Sequence, residues 1–224
     1  MGLDKEKLQE AATKSLKVLQ AVASSAAVLC PSLGFASSLI GALLKVVDKN
    51  DDGLEELKEE FEKIENDFLI LTNEIQQVIN EIDRNKVETQ FSGVITDLMK
   101  QHKAYVKMID APPEDMDRRT KNFKDVFHAT LRDQHLYTLY DSMTGKSLLS
   151  ADPILEVCRK FSGNNRGTMI EVCNHLFYML NVGCITMLAN ATLCGGNMER
   201  LQQEWEEKMQ RVCEEMEKTL KDCQ

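Results

Sequence analysis

Between Lys17 and Lys45 the chain carries twenty-seven consecutive residues without a charge, VLQAVASSAAVLCPSLGFASSLIGALL. A run of this kind must be hidden from water, by protein or by lipid. Pro31 and Gly34 stand near its middle. Proline removes a backbone donor and clashes with the preceding turn, so a helix ends or kinks there. Each half is then about 13 residues, or roughly 20 Å of helix. A bilayer core is about 30 Å thick, so neither half spans it alone. The pattern predicts an apolar helical hairpin with Cys30, Pro31, Ser32, Leu33 and Gly34 at its tip. Small residues such as Ala23, Ser24, Ala36 and Gly41 let the two arms approach closely. The residues expected to enter lipid or dock a partner helix are Val22, Val28, Leu29, Pro31, Leu33, Gly34, Phe35, Leu39, Ile40, Gly41, Leu43 and Leu44. A third outcome, packing of the hairpin against the chain's own bundle, stays open beside these two.

The remaining chain is charged and patterned for helix. From Leu54 the apolar positions Leu57, Phe61, Ile64, Phe68, Leu71, Ile75, Val78 and Ile82 step by three and four. Such a heptad predicts a long helix in a coiled-coil-like bundle. The phase slips at Arg84, Asn85 and Lys86 and resumes with Val87, Phe91, Val94, Leu98 and Tyr105, giving an expected helix over 54–109. Ala111, Pro112 and Pro113 end it. A helix over 114–141 follows, then a short one over 153–161 with Pro153 in its first turn. The last is a long helix over 168–222, with a kink or break near Gly195 and Gly196. Its first part, Val172 to Asn197, is again uncharged. It is long enough to span a bilayer, but Asn174, His175, Asn181 and Asn190 favour a buried central helix of the bundle. With aromatics at 6% and only four prolines, the class is all-α. The expected architecture is an elongated antiparallel bundle with long heptad-patterned helices and one apolar hairpin, in a single domain over 1–224.

Charge and cysteine usage narrow the function classes. The net charge is −9. That argues against a nucleic-acid partner, which requires a basic footprint, and against simple attraction to anionic lipid. Seven cysteines, an odd number, sit mostly in apolar helical patterns, and Met1 to Lys17 lacks the apolar core of a secretory signal. They read as reduced, buried thiols of a cytoplasmic protein, with membrane association open to the hairpin. Glu6 stands where a myristoylation signal needs Ser or Thr.

The candidate chemistry is thin. Thr144, Gly145, Lys146 and Ser147 imitate the end of a phosphate-binding loop, but Tyr140 occupies the place of its first glycine and a helix is expected where the loop needs a strand. Cys173, His175 and Cys184 lack the paired spacing of structural zinc sites and read as buried side chains. His128 and His135 are seven apart, on one face of an expected helix near Asp125 and Asp133. A solvated face outweighs a proton-handling cluster there, because no nucleophile or metal partner is placed beside them. Trp205 reads as a packing residue. No catalytic, cofactor-binding or metal-binding residue is assigned, and no enzyme activity is expected.

Several stretches together resemble the rapunzel family of vertebrate proteins. They are the Ala/Ser-rich segment with Pro31 and Gly34, Tyr140-Asp141 before the connector, Asp152-Pro153-Ile154-Leu155, and Asn165-Arg166 leading into the apolar Cys173-to-Leu193 run. The similarity covers nearly the whole chain. It implies an all-helical protein linked to growth control in skeletal and fin tissue, without established enzymatic activity. The layout is also similar, in architecture alone, to helical pore-forming toxins of the cytolysin A and haemolysin BL type. That likeness implies a hairpin hidden in the soluble state that swings into lipid. Two functions follow as expectations. In one, a membrane-responsive bundle inserts the hairpin and associates with further copies of itself through its long helices. In the other, a soluble scaffold docks partner helices on its heptad faces.

Overall fold

A computed structural model describes residues 69–77, 79–80, 91–109, 111–145, 149 and 152–224. The hairpin expected over 18–44 and, of the helix expected over 54–109, residues 54–68, 78 and 81–90 lie outside these residues. Among the described residues every regular element is helical. Residues 69–77 and 79–80 are helical. Beyond them run α1 (Phe91–Ile109), a single 3-10 turn (Pro113–Asp115), α2 (Met116–Ala129), α3 (Gln134–Met143), α4 (Ile154–Phe161), α5 (Arg166–Leu193) and α6 (Met198–Lys221).

The centre is α5. Its apolar residues surround the whole helix rather than one stripe, which calls for burial on every side. The fold answers that requirement, because α1, α2, α3, α4 and α6 all pack against it. From His175 to Ala189 every residue is buried. By length and composition α5 could cross a membrane, yet 78% of its apolar window is buried inside the protein. Asn165 starts it, accepting a 3.0 Å hydrogen bond from the Thr168 backbone N–H. It stops at Cys194, after which Gly195 turns left-handed at φ 71°. The Gly196 N–H then closes on the Ala191 carbonyl at 2.7 Å.

Of the kink or break expected at Gly195 and Gly196, the structure shows a full break. Asn197 caps a new helix by accepting from the Arg200 N–H at 3.0 Å, and α6 folds back onto α5, α3 and α4. It buries one face, Trp205, Met209, Val212, Cys213, Met216 and Leu220, at the three-and-four spacing of an amphipathic helix.

The helix expected over 114–141 is also divided. Leu131 and Arg132 adopt left-handed backbone at φ 60° and 59°, a conformation that costs an L-residue roughly 1–2 kcal/mol. The sequence offers no warning, since neither glycine nor proline occurs from Glu114 to Thr144. Tertiary bonds impose the break. The side chain of Gln101, buried on α1, donates to Thr130 Oγ1 at 2.8 Å and to the Arg132 carbonyl at 2.7 Å. Its own Oε1 accepts from Thr186 of α5 at 3.2 Å. The corner between α2 and α3 is thereby tied to the central helix.

Candidate functional site

Of the sequence-derived candidates, the twelve hairpin residues lie outside the described residues. His128 and His135 do not share a face, because the α2–α3 break separates them. His128 is exposed and accepts through Nδ1 from Arg132 Nε at 3.0 Å. His135 is buried, with Nδ1 3.6 Å from Asp97 Oδ2. Burial lowers its pKa, Lys100 acts in the same sense, and Asp97 opposes them. Cys173 and Cys184 are fully buried thiols, and burial raises the Cys184 pKa. His175 is likewise fully buried, its Nε2 2.9 Å from Thr72 Oγ1. Desolvation pushes it down to about 3, so it stays neutral in the folded protein. Thr144 and Gly145 follow the helix Gln134–Met143 rather than a strand, so the phosphate-loop geometry is absent at this point.

The arrangement with the most chemical character is one that spacing alone did not single out. Tyr137 and Tyr140, three apart on α3, meet Glu204, Trp205 and Lys208 on α6. The Tyr137 and Trp205 ring centroids are 5.4 Å apart, and those of Tyr140 and Trp205 are 6.1 Å apart. The Lys208 ammonium lies 4.3 Å from the Tyr140 centroid, 5.3 Å from that of Tyr137 and 6.0 Å from that of Trp205. All three fall within the reach of cation–π attraction. Tyr137 donates its hydroxyl to Glu204 Oε1 at 2.8 Å. Burial first, and the Glu204 carboxylate second, raise the Tyr137 pKa. Trp205 is 1% exposed, so the packing role expected of it holds. The local pattern that could have pointed here is Tyr-x-x-Tyr on one helix and Glu-Trp-x-x-Lys on another. Nothing in either says that the two meet.

The fold therefore defines an all-α domain built around one fully wrapped apolar helix, with a cation held against aromatic rings on its flank. The chain belongs to the cephalotoxin-like middle helical domain family, whose model matches residues 48–224. It is also 32% identical to the protein named rapunzel from Danio rerio, over 220 residues that make up 98% of this chain and 96% of that one. The rapunzel resemblance and the toxin-like helical likeness read from the sequence both stand. No solved structure matches.

Proposed function

We propose that this protein is a non-enzymatic helical bundle that engages membranes through the apolar segment Val18 to Leu44. One observation carries the reading: twenty-seven uncharged residues interrupted by Pro31 and Gly34, in a chain of net charge −9. Two others support it. The family model begins at residue 48, so the segment precedes the matched helical domain. The bundle also has its own central apolar helix in α5. The family's description speaks of a cephalotoxin-like middle helical domain, in keeping with the toxin-like architecture from which the idea of a sheltered hairpin comes. The rapunzel resemblance implies that such a step would serve growth control in skeletal and fin tissue.

Flotation of the purified protein with phosphatidylcholine vesicles, followed by alkaline carbonate extraction, tests the proposal. Floating protein that resists extraction supports insertion. Gly34→Asp or Gly41→Asp should abolish flotation while the circular dichroism of the bundle is retained, because a charge at the bilayer centre costs about 2.5–3.5 kcal/mol on insertion scales. Protein that never floats, or variants that float unchanged, would overturn it. The net negative charge favours a second reading, a soluble scaffold that docks partner helices. It expects the same variants to lose a protein partner while the vesicle fraction stays empty.

A further inference from the structure

The Lys208 ammonium is seated against three aromatic rings, and among the described residues no protein acceptor lies within hydrogen-bond distance of it. Its nearest carboxylate oxygen, Glu204 Oε1, is 3.8 Å away, beyond hydrogen-bond reach. A primary ammonium carries three N–H donors and is strongly hydrated. A site whose protein walls offer it ring faces and a carboxylate at 3.8 Å, with its N–H groups left to solvent, matches its charge but not its donors. The same surroundings suit a cation with no N–H at all. A quaternary ammonium has a spread charge and methyl groups, needs no acceptor, and is attracted to ring faces. Glu204, held in place by the Tyr137 hydroxyl at 2.8 Å, supplies the balancing negative charge. The site opens outward, since the side chains of Lys208 and Glu204 are 21% and 32% exposed. Lys208 hangs on a flexible four-carbon stem and can leave the site without unfolding α6.

We infer that Tyr137, Tyr140, Trp205 and Glu204 form a binding site for a quaternary ammonium group of the choline type, with Lys208 as its tethered resident. An incoming ligand displaces the lysine ammonium from the rings into solvent. The cation can come from free choline or from the phosphocholine headgroup of a lipid, and the site stands whether or not residues 18–44 insert. A tethered competitor acts at an effective concentration of about millimolar or higher. Removing its charge should therefore strengthen ligand binding by roughly tenfold, as expected when an occluded state is abolished.

Trp205 is the chain's single tryptophan, so its emission reads the site directly. The experiment titrates full-length protein with tetramethylammonium chloride, using sodium chloride at equal ionic strength as reference. Saturable change in Trp205 emission is expected, with a dissociation constant roughly tenfold lower in Lys208→Met, consistent with loss of a tethered occupant. Tyr140→Ala should abolish the response. Lys208→Gln serves the same purpose should the Met variant not fold, as judged by circular dichroism. Choline then compares the free ligand, and vesicles of phosphatidylcholine against phosphatidylglycerol compare the headgroup. A response to choline alone assigns the free source, and a response to phosphatidylcholine vesicles assigns the lipid. Emission that follows sodium chloride and tetramethylammonium identically in the wild type and in a folded Lys208 variant overturns the site. That result is independent of flotation, which tests the apolar segment alone.

Discussion

Gly183 is the residue whose replacement tests the fold most sharply. It lies in the middle of α5, where a Cβ would sit 2.7 Å from Leu136 Cδ1, 3.2 Å from Leu98 Cδ2 and 3.3 Å from Leu136 Cβ. Two opposing effects decide the outcome of Gly183→Ala. Alanine is the better helix former by about 1 kcal/mol. Against this, adding a methyl to a filled core costs typically about 1–3 kcal/mol. Leu136 and Leu98 are both fully buried, so neither terminal methyl can turn into solvent. The contact to Leu136 Cβ is set by the placement of α3 itself. Steric cost should therefore win, leaving a net loss of about 1 kcal/mol and a melting temperature lower by about 2–4 °C. Urea denaturation followed by circular dichroism measures it. Gly183→Val, with two further methyls and a β-branch, should lose about 3 kcal/mol or more by the same reasoning. Leu136→Ala alone should cost about 2–5 kcal/mol. Joined to Gly183→Ala it should cost less than the sum by at least about 0.5 kcal/mol, since the new methyl occupies part of the vacated space. A Gly183→Ala protein that gains about 1 kcal/mol, the bare propensity value, would show that α5 does not approach α3 this closely.

Two other perturbations probe the polar groups around α5. Gln101→Leu removes the donor to Thr130 Oγ1 and the Arg132 carbonyl and the acceptor for Thr186. It should cost about 2–3 kcal/mol, the size expected when buried partners are left without a bond, and it should speed amide exchange at the α2–α3 corner. A loss below about 0.5 kcal/mol would mean that the tie does not hold the corner. The second is a pH dependence. His175 is held neutral by burial down to about 3, whereas in the unfolded chain it protonates near pH 6.5. Between those values the unfolded state binds the extra proton, so stability falls as pH drops, by up to about 1.4 kcal/mol per unit. By pH 5 the loss from this group approaches about 2 kcal/mol, and His175→Gln should flatten that slope in denaturation series run from pH 7 to 5. An unchanged slope would place the acid sensitivity elsewhere.

The elements that the sequence revealed are those whose signal is local. Trp205, Val212, Met216 and Leu220 state the buried face of α6 by spacing alone. The absence of charge from Val172 to Asn197 announces a buried central helix, and its expected start at 168 lies two residues past the observed one at Arg166. What stayed hidden depends on partners distant in the chain. The α2–α3 break has no glycine or proline to signal it, because its left-handed residues are held by Gln101 from another helix. Gly183 looks like a weak point in an apolar run until Leu98 and Leu136 are seen to fill the space above it. The aromatic site joins Tyr137 to Glu204 across a separation of 67 residues, and no periodicity carries that information. The twelve residues proposed for the hairpin belong to the same category, since whether an apolar arm meets lipid or protein depends on what lies beside it.

The polar residues inside the two apolar stretches nevertheless distinguish them. In α5 two of them reach outward to other helices, His175 meeting Thr72 at 2.9 Å and Thr186 meeting Gln101 at 3.2 Å, while Asn181 and Thr192 bond carbonyls of α5 itself. Withdrawn from the bundle into hydrocarbon, His175 and Thr186 would lose these partners, at a cost of several kcal/mol each. The segment Val18 to Leu44 has no histidine, asparagine or threonine. Apart from Gln20, its polar side chains are five serines and the thiol of Cys30. Within a helix a serine hydroxyl can turn back to the carbonyl four residues earlier and satisfy itself there. The proposed hairpin would therefore pass from protein to lipid with the Gln20 amide, near its entrance, as the one side chain needing a new partner, whereas α5 would leave His175 and Thr186 without theirs. Of the two uncharged stretches, the first has the composition that the proposed membrane step requires, and the second does not. This is the physical ground for proposing that step in residues 18–44 rather than in α5.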